Sequence, residues 1–222
     1  MELTEGIAEL YGALLGDGCL SRFYSAYDKR TRFCVQLTGH THDRGYYEEI
    51  LKPVIRSKFG ISGTIRPRAN TNAIIYDIYS LNAFEFFHNL GMPVGKKQDL
   101  RIPEEILADK QLTKACICGI FNTDGSIYRR YSKKYAKHAR IYTHLVVQFK
   151  MNALTLIEQI KMFLSENGII TNRIIRDRDA FVLRITDQSA INSFMSLIRT
   201  QHKYHMERYL KSTQTKGTTL GS

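Results

Sequence analysis

No apolar run in the 222 residues approaches the ~18–20 needed to cross a bilayer, which excludes a membrane-spanning helix. Cysteine is scarce: Cys19, Cys34, Cys116 and Cys118 are too few for a disulfide framework in a chain of this size. Cys116-x-Cys118 also lacks the two-residue gap and the second ligand pair of a zinc site, so all four read as small apolar residues. The opening Met1-Glu2-Leu3-Thr4-Glu5 has neither the basic n-region of a secretory signal nor the Arg/Ser richness of a transit peptide. The protein is therefore expected to act where it is made.

Acidic residues are short in one half only. Residues 1–110 carry 14 basic and 14 acidic side chains, whereas residues 111–222 carry 18 and 7. The sum is 32 against 21, a net charge of +11 and a pI near 9.5. A polyanionic partner follows, either nucleic acid or an acidic membrane surface. Within the first half the strand segments 20–38 and 62–80 hold Arg22, Lys29, Arg30, Arg32, Arg66 and Arg68 against only Asp28 and Asp77. The neutral total thus conceals a basic sheet. With 43% apolar residues the chain can bury a core, as one large domain or two small ones.

The chain repeats itself. Leu10-Tyr11-Gly12-Ala13-Leu14-Leu15-Gly16-Asp17-Gly18 recurs loosely as Ile117-Cys118-Gly119-Ile120-Phe121-Asn122-Thr123-Asp124-Gly125, at an offset of 107. Each copy is followed by two strands (within 20–38 and 126–150), a helix (46–59 and 153–167) stopped at Gly60 or Gly168, two more strands (63–68 and 73–80; 171–177 and 180–186) and a final helix (81–90 and 189–200). This order predicts an α+β protein, two αββαββα subdomains with antiparallel sheets. The subdomains are expected at 1–95 and 111–222, joined by a linker at 96–110.

Alternation splits each basic strand into two faces. Thr31, Phe33, Val35 and Leu37 oppose Arg30, Arg32, Cys34, Gln36 and Thr38; Ile141, Thr143, Leu145, Val147 and Phe149 oppose Tyr142, His144, Val146, Gln148 and Lys150. One face suits a core. The other suits a major groove, which admits a two-stranded ribbon. The candidate nucleic-acid contacts are Arg22, Lys29, Arg30, Arg32, Gln36, Arg66, Arg68, Lys96 and Lys97 in the first half. In the second half they are Arg129, Arg130, Lys133, Lys134, Lys137, Arg140, Tyr142, His144, Gln148, Arg176 and Arg178.

As helices, the two motifs each carry a strip of small residues, Gly12 with Gly16 and Gly119 with Thr123, which lets two backbones approach. Asp17 and Asp124 then lie at the C-terminal ends, each before a glycine suited to stop a helix. A carboxylate there faces unpaired carbonyls and the negative end of the dipole, so it requires a cation. Two together make an all-oxygen cluster of the kind that binds Mg²⁺.

Leu10–Gly18 and Ile117–Gly125 resemble the two motifs of the monomeric LAGLIDADG homing endonucleases. Leu90-Gly91-Met92-Pro93-Val94-Gly95-Lys96-Lys97, followed by Arg101-Ile102-Pro103-Glu104-Glu105, is similar to the stretch before the second motif in many members. The second motif departs from the family pattern at Asn122 and Thr123, where that pattern has Asp and Ala. The resemblance implies motif helices at the subdomain interface and two sheets forming a saddle on double-stranded DNA. It also implies Asp17 and Asp124 as catalytic, metal-binding acids, with the carbonyls of Gly16 and Thr123 as further ligands.

By the same resemblance, a Lys or Gln near the end of the second strand of each half orders water. The matching candidates here are His40 and Lys150, with Gln36 and Gln148 as alternatives one or two residues away. Mg²⁺ or Mn²⁺ would support cleavage, and Ca²⁺ would bind without supporting it. The implied activity is that of an intron-encoded, site-specific nuclease, active as a monomer on a long asymmetric site and leaving 3′ overhangs. Its place would be a prokaryotic cytoplasm beside the nucleoid, or an organelle interior. An intein origin is not expected, because the one His-Asn pair, His88-Asn89, is internal. An RNA-binding intron maturase, with intron RNA as partner, and a catalytically inactive DNA-binding regulator are the alternatives on this scaffold.

Overall fold

A computed structural model describes residues 2–132 and 142–214; the side chains of 131–132, 142–143 and 212–214 are left aside. The chain divides into two compact units, Met1–Asp124 and Gly125–Ser222. The repeat places the second motif helix with the second subdomain, but compactness places it with the first unit, because it packs along the first motif helix.

The first unit opens with α1 (Glu5–Asp17), capped by the Thr4 side chain, which accepts from the Ile7 N–H. It runs straight into the hairpin β1 (Gly18–Ser25) and β2 (Arg30–His40). A helix follows from Arg44 to Phe59, in three pieces: α2 (Arg44–Tyr46), a π turn (Tyr47–Leu51) and α3 (Lys52–Phe59). The sequence predicts one uninterrupted helix here. Pro53 explains the break: it offers no N–H to the Glu49 carbonyl and its ring crowds that oxygen, so the preceding turn widens. Gly60 then stops α3 in the left-handed region at φ 70°, as expected. The unit continues with β3 (Thr64–Pro67), β4 (Ala73–Tyr79) and α4 (Leu81–Asn89), the last capped by Ser80.

The stretch read as a linker is packed. Ile102 and Ile106 are fully buried, and residues 104–107 form α5 (Glu104–Leu107). The motif helix α6 (Lys110–Asp124) ends the unit, its first N–H groups taken by the Asp109 carboxylate.

The second unit repeats the plan: β5 (Gly125–Ser132), β6 (Tyr142–Met151), α7 (Leu154–Glu166), β7 (Ile175–Asp177), β8 (Ala180–Ile185) and α8 (Gln188–Ile198). The sequence did not announce α9 (Lys203–Gln214), whose polar composition hides its period. Its Lys211 carbonyl accepts from Arg129 of β5 at 2.6 Å. Each unit holds a four-stranded antiparallel sheet, in the orders β1-β2-β4-β3 and β5-β6-β8-β7.

Register confirms the face assignment. Leu20, Val35 and Ile78 lie in one row and are fully buried, as are Ile127, Val147 and Ile185 in the second sheet. Two rings mark where helices cover these faces: Phe33 meets Phe84 of α4, and Phe149 meets Phe194 of α8.

The contact that organises the first unit is the crossing of α1 and α6. A Cβ on Gly12 would overlap the Cys116 carbonyl oxygen, and a Cβ on Gly119 would overlap the Glu9 carbonyl oxygen. Both members of this pair of contacts are related by the offset of 107, so the crossing is two-fold in character. Gly12→Ala should therefore lower stability by at least the ~1–3 kcal/mol typical of overpacking. Gly45→Ala, whose new methyl would meet only the end of Glu49 at 3.7 Å, should be neutral or stabilising by up to ~1 kcal/mol. Urea midpoints of the two variants compare them directly.

Candidate functional site

The crossing delivers the last residues of α1 and α6, Asp17 and Asp124, to one place. A Cβ on Gly16 would overlap the Thr123 hydroxyl and lie 3.5 Å from the Asp124 carboxyl carbon. The Thr123 hydroxyl is itself turned inward, donating to the Gly119 and Ile120 carbonyls at 3.0 and 3.2 Å. Gly18, expected to stop α1, does so in an extended conformation (φ −94°, ψ 167°). Glycine is needed there for space, since a Cβ would fall 2.5 Å from Leu14 Cα.

Neither motif helix has a basic residue in its last turn, so the negative charge at these ends is balanced from elsewhere. The balance comes from Lys97. Val94 bridges to Leu20 in parallel, and the Gly95 N–H donates to the Leu20 carbonyl at 2.8 Å. Gly95 turns with φ 80°, a conformation that favours glycine. The chain is thereby laid against β1 and aimed at the end of α1. The Lys97 ammonium donates to the Leu15 carbonyl at 2.9 Å and to that of Gly16.

Burial pushes the Asp17 carboxyl up to about 7; the Asp124 and Asp43 carboxylates add to the rise and the Lys97 ammonium opposes it. Asp124 is pushed up to about 6 by burial, against the pull of Lys97. Burial lowers Lys97, while Asp124 and Asp17 resist the change. Tyr47, on the π turn, completes the neighbourhood: burial raises its phenol well above the usual value, and the Asp17 and Asp43 charges reinforce this. Its hydroxyl is buried without a hydrogen-bond partner among the described residues.

The donor set is all oxygen: two carboxylates with main-chain carbonyls beside them. Among the described residues no group of three or more His, Cys, Asp or Glu gathers as a metal cage. Two acids and carbonyls fit a hard divalent cation that keeps several waters. The ammonium on the Gly16 carbonyl, in the field of both acids, marks where positive charge is favoured.

Beside the acid pair lies a buried network that accounts for Asn122. Glu9 Oε1 accepts from Tyr46 Oη at 3.0 Å, Asn122 Nδ2 at 3.2 Å and Cys118 Sγ at 3.8 Å. Burial raises the Glu9 carboxyl, and these donors resist the rise. An aspartate at 122 would set a second carboxylate against Glu9.

The remaining sequence-predicted residues fall into three groups. On the polar face of the first sheet stand Arg30, Arg32 and Gln36, with Arg66 in the row of Thr38 and Ile75. Arg30 and Arg32 both bond Asp28. Lys29 is in the hairpin turn with φ 50°, and Arg68 lies just past β3. On the corresponding face of the second sheet stand Arg130, His144, Gln148 and Lys150.

Three arginines project from the opposite faces. Arg22 pairs with Phe33 and lies over its ring at 5.6 Å; Arg129 pairs with Leu145, and Arg176 with Phe181. Arg178 occupies the β7–β8 turn with φ 58°. Lys96 is exposed, whereas Lys97, expected as a phosphate contact, belongs to the acid pair. Lys133, Lys134, Lys137 and Arg140 lie outside the described residues, as does the side chain of Tyr142.

His40 and Lys150, the expected helpers of the acids, are engaged otherwise. His40 caps the short 3₁₀ turn that follows β2: its Nδ1 accepts from the His42 N–H at 3.3 Å, and its own N–H donates to Asp43. Lys150 Nζ bonds Asp177 at 2.8 Å. Sequence reasoning missed Asp43 and Tyr47, because only the fold of the 40–51 segment brings them near Asp17. It also missed Glu9, one turn before Gly12 on the same helix.

Both site carboxyls sit above the ~3.9 of an unfolded aspartate, so folding takes up protons. Their contribution to stability is complete below about pH 4 and is lost as pH rises to about 7. In metal-free buffer the parent protein should lose more melting temperature between about pH 4.5 and 7.5 than Asp17→Asn does. Asn122→Asp should lower the melting temperature at pH 7 and above, and Glu9→Gln in the same chain should restore it.

No protein-family model matches the chain. By sequence it is 26% identical over 216 residues to the tRNA-splicing ligase RtcB of Methanocaldococcus jannaschii, covering 88% of this chain. The chain spans about a fifth (22%) of that protein's length. Solved structures match over nearly the whole fold. I-DmoI in complex with DNA and Mn superposes with a TM-score of 0.62 at 16% identity, covering 89% of this chain and 98% of that one. The LAGLIDADG meganuclease I-AabMI bound to uncleaved DNA gives 0.63 at 14%, covering 96% and 92%. I-SmaMI, bound to an uncleaved DNA target with calcium ions, gives 0.64 at 13%, covering 97% and 93%. With two sheets of identical strand order and two glycine-bearing motif helices that end in acids, this chain has the fold of the LAGLIDADG homing endonucleases.

Proposed function

We propose that the chain is a LAGLIDADG homing endonuclease of the monomeric two-motif type, which cleaves both strands of a long asymmetric DNA site and leaves 3′ overhangs. The observation that carries this reading is the convergence of Asp17 and Asp124 at the ends of two crossing helices, with Lys97 as their cationic neighbour. The fold shared with nucleases solved on DNA, one of them with Mn, supports it.

In this reading Asp17, Asp124 and the carbonyls of Gly16 and Thr123 hold Mg²⁺ or Mn²⁺. Such a cation, when bound, polarises a phosphoryl oxygen and acidifies a water. The protein's own part is positional and electrostatic. The glycine contacts fix where the carboxylates stand, and the half-buried setting strengthens their field. Lys97 offsets the negative charge that gathers on a phosphate brought to the acids. The polar faces of the two sheets, with Arg30, Arg32, Gln36 and Arg66 on one and Arg130, His144 and Gln148 on the other, supply phosphate and base-edge contacts. The coding element is an intron, and the insertion site is the sequence left when that intron is removed.

Purified protein with Mg²⁺ should linearise a plasmid carrying that intron-free sequence. Asp17→Asn or Asp124→Asn should reduce double-strand cleavage at least ~10³-fold while leaving DNA binding within a few-fold. Cleavage that survives both changes would sink the role given to the acids. Tight binding to the intron RNA, with no cleavage of the DNA, would favour the maturase instead.

A further inference from the structure

We propose that Asp77 is a specificity-positioning residue: by binding Gln36 and Arg66 it fixes which hydrogen-bonding end each presents to DNA, and the second sheet fixes its glutamine the opposite way. The inference rests on the DNA-binding reading above.

Asp77 is an anomaly on its face of the sheet. It lies on β4 opposite Gln36 of β2, on the polar side, yet is only 2% exposed. A carboxylate so buried must be matched by donors. Gln36 Nε2 donates to Oδ1 at 2.5 Å, Arg66 Nε donates to Oδ2 at 2.8 Å, and the Cys34 thiol reaches Oδ1 at 3.9 Å.

A carboxylate accepts and does not donate, so the amide nitrogen of Gln36 must face Asp77, and the orientation of the amide follows from chemistry. Its Oε1 is left as the outward group, touched among the described residues by the weak Cys19 thiol at 3.9 Å. Arg66 commits its Nε inward and keeps both terminal nitrogens on a side chain that is 51% exposed. The first sheet thus offers one carbonyl acceptor beside one guanidinium fork.

The second sheet has the same register with the opposite sign. Gln148 of β6 lies opposite Arg184 of β8, as Gln36 lies opposite Asp77. Positions 77 and 184 are related by the repeat offset of 107. Arg184 Nε donates to Gln148 Oε1 at 2.8 Å, and the Tyr128 hydroxyl donates to the same oxygen at 3.0 Å. Both partners donate, so the carbonyl is consumed and the amide nitrogen is the outward group.

Two consequences follow for a major groove. Gln148 cannot read adenine with both ends at once, the usual pairing for Gln, because its carbonyl already accepts twice; Gln36 keeps its carbonyl and the second N–H of its amide for a base. Gln36 selects a base with an exocyclic amine, adenine or cytosine. Gln148 selects a base edge with an acceptor, such as guanine O6 or thymine O4.

The test is binding selection from a randomised duplex library in metal-free buffer, where cleavage does not interfere. The parent protein should enrich an amine-bearing base at the position that Gln36→Met flattens. Asp77→Asn, whose amide frees Gln36 to turn over, should flatten that same position and the Arg66 position at least 5-fold. All positions flattened by Gln148→Met should keep their enrichment. An Asp77→Asn profile identical to the parent's, or a uniform loss across all positions, overturns the proposal. If Asp77→Asn does not fold, Gln36→Met decides: guanine or thymine at its position in the parent, or no change on the substitution, overturns it. A parent protein with no sequence preference at all overturns the DNA-binding reading rather than this one.

Discussion

The first unit depends on two helices whose backbones touch. At Gly12 and Gly119 a hydrogen atom faces the partner helix's carbonyl oxygen where any other residue would drive in a methyl group. Close approach of this kind gains dispersion from many atoms at once and leaves little freedom to slide, because the two contacts lock each other. The position of everything at the helix ends follows. Asp17 and Asp124 share one site because Gly12 meets Cys116 and Gly119 meets Glu9, and shifting either helix by one residue would separate them.

That packing concentrates negative charge where proteins ordinarily avoid it. Two carboxylates, two sets of helix-terminal carbonyls and Asp43 lie within one field, and the cost shows as carboxyls held well above their solution values. Lys97 relieves part of it from outside the helices, brought in by a strand-like segment bridged to Leu20. A site that is unstable when fully ionised and only partly neutralised has an affinity for further positive charge built into it. The neighbouring Glu9 network is treated differently: Tyr46, Asn122 and Cys118 close around it with neutral donors. One acidic group is thus sealed while two others are left able to respond to what binds them.

The sheets show how much meaning alternation carries. Arg22, Arg129 and Arg176 are basic residues in basic strands, yet parity sends them to the face shared with Phe33, Leu145 and Phe181. The polar faces are also less uniform than charge suggests. Asp77 is buried among them in one sheet and Arg184 stands at the matching point in the other, so sheets of one topology present different hydrogen-bonding ends.

The repeat of 107 residues, the strand-pair order and the glycine stops at 60 and 168 were legible in the amino-acid sequence, because local periodicity and turn chemistry act over a few residues. The special character of Asp17 and Asp124 was legible too, since a doubled acid at a helix C-terminus is costly wherever it occurs. Missing from that reading were the π turn before Pro53, the helix α9 with its weak period, and the packing of the segment taken for a linker. Tertiary structure alone decided the partners of each charge. Lys97 left the phosphate-contact group for the acids, His40 became a cap, Lys150 bonded Asp177, and Asp43, Tyr47 and Glu9 entered the neighbourhood of the motifs. Electrostatic partnership acts through space at a few ångströms. It is set by which distant segments the core brings together, and spacing along the chain does not record it.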